Sequence, residues 1–405
     1  MANTFKFGNG IWATKKGSTL AYNDENGNYK PLPFNFERAS GATRVNKEGL
    51  IEVVSNNKSR IDFTDSADGS LLLEPSRTNL ITYSEDFSNS SWILSGTNPP
   101  VITTSQFISP DGNQTASRLQ IPSTNSVSIL QQSFSHTSGT QYTVSAYVKS
   151  NASTNQQFRL YGDFGSPTGI SGILIATSEW QRFTFTYTAT GTGARSGGFY
   201  YVPDTESDIQ IYGFQAEEGS YATSYIPTQG STSTRDADVC DGAGNEQVFN
   251  DSEGVLYCES ADINSDSTKM ITINDGGQTN EMRIDFKTNN EIQAVFTVGS
   301  NPQALISTTS YNTSEINKIA FKYKENNFAL WINGIEVGAS NTGSTVTTNT
   351  FKTLEFERGS GLFQFYGNTK QIQYYNTILT DVELEYMTSY RSLNEMVTEL
   401  NLNAL

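Results

Sequence analysis

Short runs of strictly alternating apolar and polar residues recur along this chain, and they constrain its fold more than any other feature. "QYTVSAYVKS" (141–150) sets Tyr142, Val144, Ala146 and Val148 on one face and Thr143, Ser145 and Tyr147 on the other. "QRFTFTYTAT" alternates Phe183, Phe185 and Tyr187 with threonines. "SDIQIYGFQAEEG" alternates Ile209, Ile211 and Gly213 with Gln210, Tyr212 and Phe214. A period of two with one apolar face is the pattern of a strand half-buried in a two-sheet sandwich. Between 248 and 390 the same logic returns. "EGVLYCESADI", "MRIDFKTNNEIQAVFTVG", "INKIAFKYKENNFALWINGIEVG" and "TLEFERGSGLFQFYGNTKQIQYYN" are strands broken at Asn-Gly, Gly-Gly or Asn-Asn turns. A chain of 405 residues suits two or three domains.

Charge excludes some partners. The formal net charge is -16. Such a surface repels phosphate backbones and anionic lipid, so neither nucleic acid nor a membrane surface is expected as a partner. No run of about 18 apolar residues could span a bilayer. "MANTFKFGNGIW" has no apolar signal region, so synthesis in a cytoplasm without processing is expected. Cys240 and Cys258 do not form a CxxC, and with a single histidine they cannot make up a structural zinc site. Their spacing leaves a disulfide open; a cytosolic origin favours two free thiols.

Residues 1–70 carry hairpin signals but few apolar residues. Asn26-Gly27 lies between Tyr22 and Phe34, Gly49 marks a turn in "VNKEGLIEVV", and Asn56-Asn57 marks the next. This segment is expected to be an arm that packs on the next domain or on a partner. Residues 224–245 lose all periodicity and read as a linker or an extended crossing strand. Near the end, Thr380 with Glu383 forms a capping box for a short helix. Leu393, Met396, Val397 and Leu400 then recur at helical spacing as one apolar stripe. That stripe docks on its own domain or forms a seam between subunits.

Little in the chain suggests catalysis. A Ser-His-Asp or Cys-His site must use His136, which sits in the polar "QQSFSHTSGTQY" and is expected to be an exposed loop residue. Glycoside hydrolysis needs two carboxylates facing a cleft. Asp204 with Glu206, or Glu217 with Glu218, are adjacent acids that read as solvated surface. Glu355 and Glu357 in "LEFERG" come nearest to an alternating acidic strand, without a third acid. The Gly-rich "GDFGSPTGISGIL" and "GTGARSGG" do not open helices, so they are not phosphate loops. Composition speaks more for sugar binding, where rings stack on pyranose faces and polar groups bind hydroxyls. Tyr147, Tyr161, Trp180, Tyr200, Tyr201 and Tyr212 are the candidates; Tyr147 and Tyr212 fall on the polar face of their strands. The face taken by Trp331 is not readable.

"LLLEPSRTNLITYSEDFSNSSW" (71–92) and "GFQAEEGSYATSYIPTQGSTSTRDADV" (213–239) resemble the two ends of a β-sandwich module found in tailed-bacteriophage fibre and virion proteins. That module is similar to carbohydrate-binding modules of the galactose-binding type. "FERASGATRVNKEGLIEV" and "RIDF" resemble its lead-in. "FALWINGIEVG" (328–338) and "QIQYYNTILTDVELEYM" (371–387) resemble a concanavalin A-like jelly roll of the laminin G or pentraxin sort. Together these imply an all-β protein: an N-terminal attachment arm (1–70), two tandem antiparallel β-sandwich (jelly-roll) domains (71–238 and 239–392), and a short C-terminal helical tail (393–405).

The implied function is structural and non-enzymatic, with no cofactor required. The protein would be a head fibre on the outside of a phage virion, made in the host bacterial cytoplasm. It would form a homotrimer through the 393–400 stripe, touch the capsid or another virion protein through its arm, and hold host glycans weakly. A tail fibre or receptor-binding protein is the second reading, and a fibre-borne glycan depolymerase the alternative from another class. The resemblance also places a structural calcium ion at Glu85, Asp86 and Glu217. The turn acids at 251–254 and 274–277 are further candidates for one.

Overall fold

The computed structural model describes residues 4–15, 18–23, 28–163, 168–264 and 266–400. The Asn26-Gly27 turn, part of the Gly-rich run near 165 and the last five residues lie outside the described residues. The fold is all-β and antiparallel, with two short α-helices near the C-terminus among the described residues. It divides into two compact units. Unit 1 joins Met1–Ala39, Ser55–Pro75 and Ala237–Leu405; unit 2 joins Ser40–Val54 and Ser76–Asp236.

Unit 2 is a sandwich of two five-stranded sheets. One runs Ile93–Gly96, Ser128–His136, Gly193–Tyr200, Gln156–Tyr161, Leu174–Ala176; the other runs Val101–Phe107, Ala116–Ile121, Ser207–Glu218, Gln141–Ser150, Gln181–Thr188. Alternate residues of both sheets meet in one core, with Leu119, Ile121, Val144, Ala146 and Val148 facing Leu130, Phe158, Leu160 and Phe199. Trp92 closes this core beside Phe87 and Phe214, and its indole N–H donates to the Tyr83 carbonyl at 2.7 Å. The Ser207–Glu218 strand departs from the expected parity. Gly213 takes φ +63°, and the pairing with Gln141–Ser150 slips between Ser145 and Tyr147. This bulge turns Phe214 and Ala216 inward after Ile209 and Ile211, and leaves Tyr212 on the other face.

The ends of this unit meet. Arg77–Asn79 pairs antiparallel with Ser233–Arg235, and the Thr78 and Thr234 hydroxyls are 2.8 Å apart. Of the segment 224–245, expected as a linker or crossing strand, only Ser233–Arg235 and Val239–Asp241 are strands, and Tyr225 and Ile226 are buried. Arg77 lies over the Tyr221 ring at 5.2 Å, a structural placement.

Unit 1 holds the second sandwich. One sheet runs Ile335–Ser340, Phe328–Ile332, Asn317–Lys324, Glu253–Asp262, Gly367–Tyr375 and continues into Phe5–Gly8, Tyr22–Asn23 and Lys30–Pro31. The other runs Asn301–Thr308, Glu291–Val298, Glu281–Lys287, Lys269–Asn274, Thr353–Glu355. The arm expected over 1–70 is not a separate body. Phe5, Phe7, Phe34, Phe36, Ile61, Leu71 and Leu73 belong to the core of this unit, and 40–54 belongs to unit 2. Leu71–Leu73 does not begin the first sandwich; Ser70–Leu73 pairs with Gly367–Tyr375 and Arg60–Asp62. Its partner lies about 300 residues away, and periodicity within a strand carries no information about such pairing.

Four passages between the units leave the ends of unit 1 near one another, and buried charges join them. Arg38 donates to the Ser55 carbonyl at 2.8 Å and the Lys58 carbonyl at 3.2 Å. Asp238 accepts from both Arg38 and Arg60, and Arg60 also reaches Glu74 at 2.6 Å. Burying these charges is tolerated because each has a partner of opposite sign and further hydrogen bonds.

Helix α1 (Asp381–Thr388) carries the expected Thr380–Glu383 capping box and packs Leu384 against Trp331, which is buried. Helix α2 (Leu393–Glu399) buries none of its residues. Glu395 pairs with Lys318 and Glu399 with Lys370. Within the stripe, Met396, Val397 and Leu400 are half-buried and Leu393 is exposed. Cys240 and Cys258 are buried free thiols.

Candidate functional site

Two of the six aromatic candidates are closed off. Tyr161 is fully buried, with its hydroxyl donating to Gln131 at 3.0 Å. Tyr212 is buried as well, because the outer face of its sheet is covered. The hairpin Ala42–Val45/Ile51–Val54 brings Ile51 onto Tyr212 and Tyr225, and Tyr147 and Trp180 pack against the same cluster. Tyr147 and Tyr212 are register partners with ring centroids 6.3 Å apart. Rings on the polar face of these strands thus fill a second, smaller core. Tyr147, Trp180, Tyr200 and Tyr201 are half-buried. Tyr200 and Tyr201 lie 5.0 Å apart, and Tyr161 lies 5.4 Å from Tyr200.

Beside this cluster unit 2 opens into a cleft of about 480 Å³, lined by Glu85, Asp86, Ser88, Thr104, Ser105, Thr115, Ser117, Pro227, Thr228 and Gln229. Three segments build it. The turn after the first strand supplies Glu85–Ser88, where Asp86 accepts from the Ser88 backbone N–H at 3.1 Å. The edge strand Val101–Phe107 bulges between Thr103 and Phe107, with Ser105 at φ +54°, and its neighbour Ala116–Ile121 contributes Ser117. The segment 227–229 is pinned by Thr228, whose hydroxyl accepts from the Ser84 N–H at 3.0 Å.

Two features make this cleft suited to a ligand. Ser117 is 1% exposed, and its hydroxyl has no hydrogen-bond partner, an unsatisfied buried group that costs about 1–3 kcal/mol. Glu85 accepts from the phenols of Tyr225 at 2.9 Å and Tyr212 at 3.1 Å, both at Oε1. Burial pushes its carboxyl above the usual range; the two phenols pull it part of the way back, and the charge of Asp111 adds to the rise. The phenols fix the orientation of Glu85 from below, so its carboxylate is a preset acceptor at the cleft wall. Two residues proposed for calcium, Glu85 and Asp86, line this cleft. The aromatic candidates do not.

The third calcium candidate sits elsewhere. Glu217 is fully buried, and its carboxylate accepts from the Thr223 backbone N–H at 3.0 Å and from the Thr223 hydroxyl. Among the described residues no three His, Cys, Asp or Glu side chains gather as a metal would need, so Glu85, Asp86 and Glu217 are not one ligand set. Asp275 serves its own turn, accepting from the Gly277 N–H at 3.0 Å, and Asp251 anchors a distant segment, accepting from the Phe351 N–H at 2.9 Å.

His136 is not an exposed loop residue. It ends the strand Ser128–His136, two residues after Phe134 on the inward face, and is 3% exposed. Its Nε2 is 2.7 Å from the Tyr187 hydroxyl. The alternation Leu130, Phe134, His136 was the available signal; the polar residues between them hid it. Glu217 and Glu218 lie on opposite faces of one strand, one buried and one exposed. Glu357 accepts from the Gly361 N–H at 2.6 Å, and Glu355 from Asn274 at 2.8 Å. On the strand Glu281–Lys287 the acids alternate with a base. Glu281 is held by Arg358 at 2.8 Å, and Arg283 Nε lies 3.0 Å from Asp285.

No family model matches the chain, and no curated protein matches it. Among solved structures it is similar to the carbohydrate-binding module (CBM40) of the Ruminococcus gnavus IT-sialidase bound to α2,3-sialyllactose. The identity is 14%, over 36% of this chain and 86% of that one, at a TM-score of 0.31. A SAP-like pentraxin of Limulus polyphemus matches at 9% identity over 35% of this chain and 71% of that one, with a TM-score of 0.29. A Bacillus licheniformis β-glucanase matches at 13% identity over 35% and 72%, with a TM-score of 0.27. At these scores the likeness carries no argument about ligand or activity.

Proposed function

We propose that this protein is a non-enzymatic structural and glycan-binding protein, displayed as a head fibre on the exterior of a tailed-phage virion. The observation that carries the glycan reading is the cleft with the unpartnered Ser117 hydroxyl in its wall. A wall of hydroxyls, two carboxylates and one amide beside Pro227 matches the mixed polar and apolar surface of a saccharide. The fibre reading is supported by the module ends at 71–92 and 213–239, which pair as Arg77–Asn79 with Ser233–Arg235. A tail fibre is the second placement. A single shallow cleft binds weakly; several copies on one particle multiply its hold. Assembly as a homotrimer is part of the proposal and rests on the stripe at Leu393, Met396, Val397 and Leu400.

Saturation-transfer NMR of the full chain against a panel of saccharides, with Ser117→Ala as the control, tests the binding reading. Contact signals that vanish in the variant support it. No contact with any saccharide at millimolar concentration overturns it. Native mass spectrometry at micromolar concentration tests the trimer. Localisation of the chain in an electron-microscopy map of a particle tests the placement. Sustained release of oligosaccharide from host capsule, abolished by one carboxylate substitution, would replace the non-enzymatic reading with a depolymerase.

A further inference from the structure

The charge of the cleft bears on which saccharides it admits. Among the described residues its wall carries two carboxylates, Glu85 and Asp86, and no Lys, Arg or His. Asp111 lies just behind, its Oδ2 3.3 Å from the Tyr212 hydroxyl that also donates to Glu85. Asp111 remains charged: its hydrogen bonds from Ser109 and Asn113 outweigh its burial and hold its carboxyl below the usual range. The charged groups that the described residues place in the wall, and the Asp111 that shares the Tyr212 hydroxyl behind it, are all carboxylates. A carboxylated or sulfated sugar entering here would lose water around its own charge and meet like charge with no cation to offset either cost. An uncharged sugar meets no such penalty. Its hydroxyls donate to the two carboxylates, and charge-assisted bonds of that kind exceed neutral ones in strength. The Ser117 hydroxyl gains the partner it lacks in the free protein.

We propose that the cleft is a selectivity site: it takes neutral saccharides and rejects those bearing carboxylate or sulfate groups, with Glu85 and Asp86 as the excluding residues. This rests on the glycan-binding reading of the same cleft. The exclusion is electrostatic, so it weakens as salt screens the two carboxylates.

Isothermal titration of the full chain with lactose, maltotriose and N,N′-diacetylchitobiose, against galacturonic acid trimers and 3′-sulfolactose, tests it. At least one neutral sugar is expected to bind 10-fold or more tighter than either anionic probe. In Glu85→Gln/Asp86→Asn that ratio is expected to shrink to within about 3-fold, mainly because the anionic probes gain. The glutamine keeps an acceptor for Tyr212 and Tyr225, and near-UV circular dichroism checks that the fold is retained. Ser117→Ala is expected to weaken the neutral sugar. If an anionic probe binds wild type as tightly as the neutral ones, and Ser117→Ala weakens it, the selectivity proposal is overturned while glycan binding stands. If a neutral sugar binds but Ser117→Ala leaves it unchanged, the cleft is not the site and the proposal falls. If neither class binds, both readings fall together.

Discussion

Arg38 Nη1 stands 3.0 Å from Asp238 Oδ1, and neither side chain exposes any surface to solvent. The other oxygen, Oδ2, accepts from Arg60 and from the Glu74 backbone N–H, the latter at 2.9 Å. One acid therefore satisfies two guanidinium groups that lie 200 and 178 residues before it in the chain. Asp238→Ala would leave Arg38 without its carboxylate and Arg60 with Glu74 alone. The expected loss is about 3–5 kcal/mol of stability in unit 1. Chemical denaturation, read by a probe in unit 1, checks it. Two compact units need not unfold together, so each transition is read by its own probe.

Trp92 fills the mouth of the unit 2 core, with its ring 5.0 Å from Phe87 and 5.4 Å from Phe214. Trp92→Ala is expected to cost about 3–5 kcal/mol, from lost contacts and the cavity left behind. Trp92→Phe should cost less, losing chiefly the indole bond to the Tyr83 carbonyl. Urea unfolding of both variants separates the packing loss from the hydrogen-bond loss.

His136 gives unit 2 an acid-sensitive step. Its burial holds the imidazole pKa below the usual histidine value, partly opposed by hydrogen bonding to backbone and by the nearby charge of Asp163. The unfolded chain therefore takes up a proton at a higher pH than the folded chain does. The contribution is complete above about pH 6.5, the unfolded value, and is lost as pH falls toward the lower folded value. A His136→Gln variant is expected to show a flatter decline of unit 2 stability as pH falls below about 6.5. Equal slopes in thermal melts across that range would refute this.

The two thiols should be silent in the native protein. Burial pushes the Cys258 thiol up to about 12 and raises Cys240 as well, where Asp241 and Asp238 add to the effect. The thiolate is the reactive form, so neither residue is expected to be alkylated at neutral pH. Both should react at once in denaturant. Mass spectrometry after iodoacetamide treatment, with and without guanidinium, counts the labels.

The candidate site was only half legible in the residues. Glu85 and Asp86 were singled out, but for a metal, because adjacent acids in a turn carry no sign of what faces them. Ser117 could not be found, because a serine at an inward position of a strand reads as a break in an apolar pattern. It becomes informative only when its missing hydrogen bond is seen. Tyr212 is no platform, because the distant hairpin at 42–54 covers it through Ile51, and strand alternation cannot foresee that cover. Trp331, of unreadable face, is buried by Leu384 of α1.

Alternation in 141–150, 181–188 and 253–262, the Gly49 turn and the Thr380 cap all depend on neighbours within a few residues. Local physics therefore specified the strands, the turn and the helix start from the sequence alone. Gly213 marks the limit of that logic: one bulged residue reverses the parity of everything after it, and pattern reading has no term for it. Which strands pair was decided only in three dimensions. Phe5–Gly8 and Ser70–Leu73 both find the strand Gly367–Tyr375 because the edge not paired with Glu253–Asp262 is open to hydrogen bonding and leaves an apolar core to finish. Such pairing depends on what the rest of the chain leaves uncovered, and no short stretch of sequence encodes it.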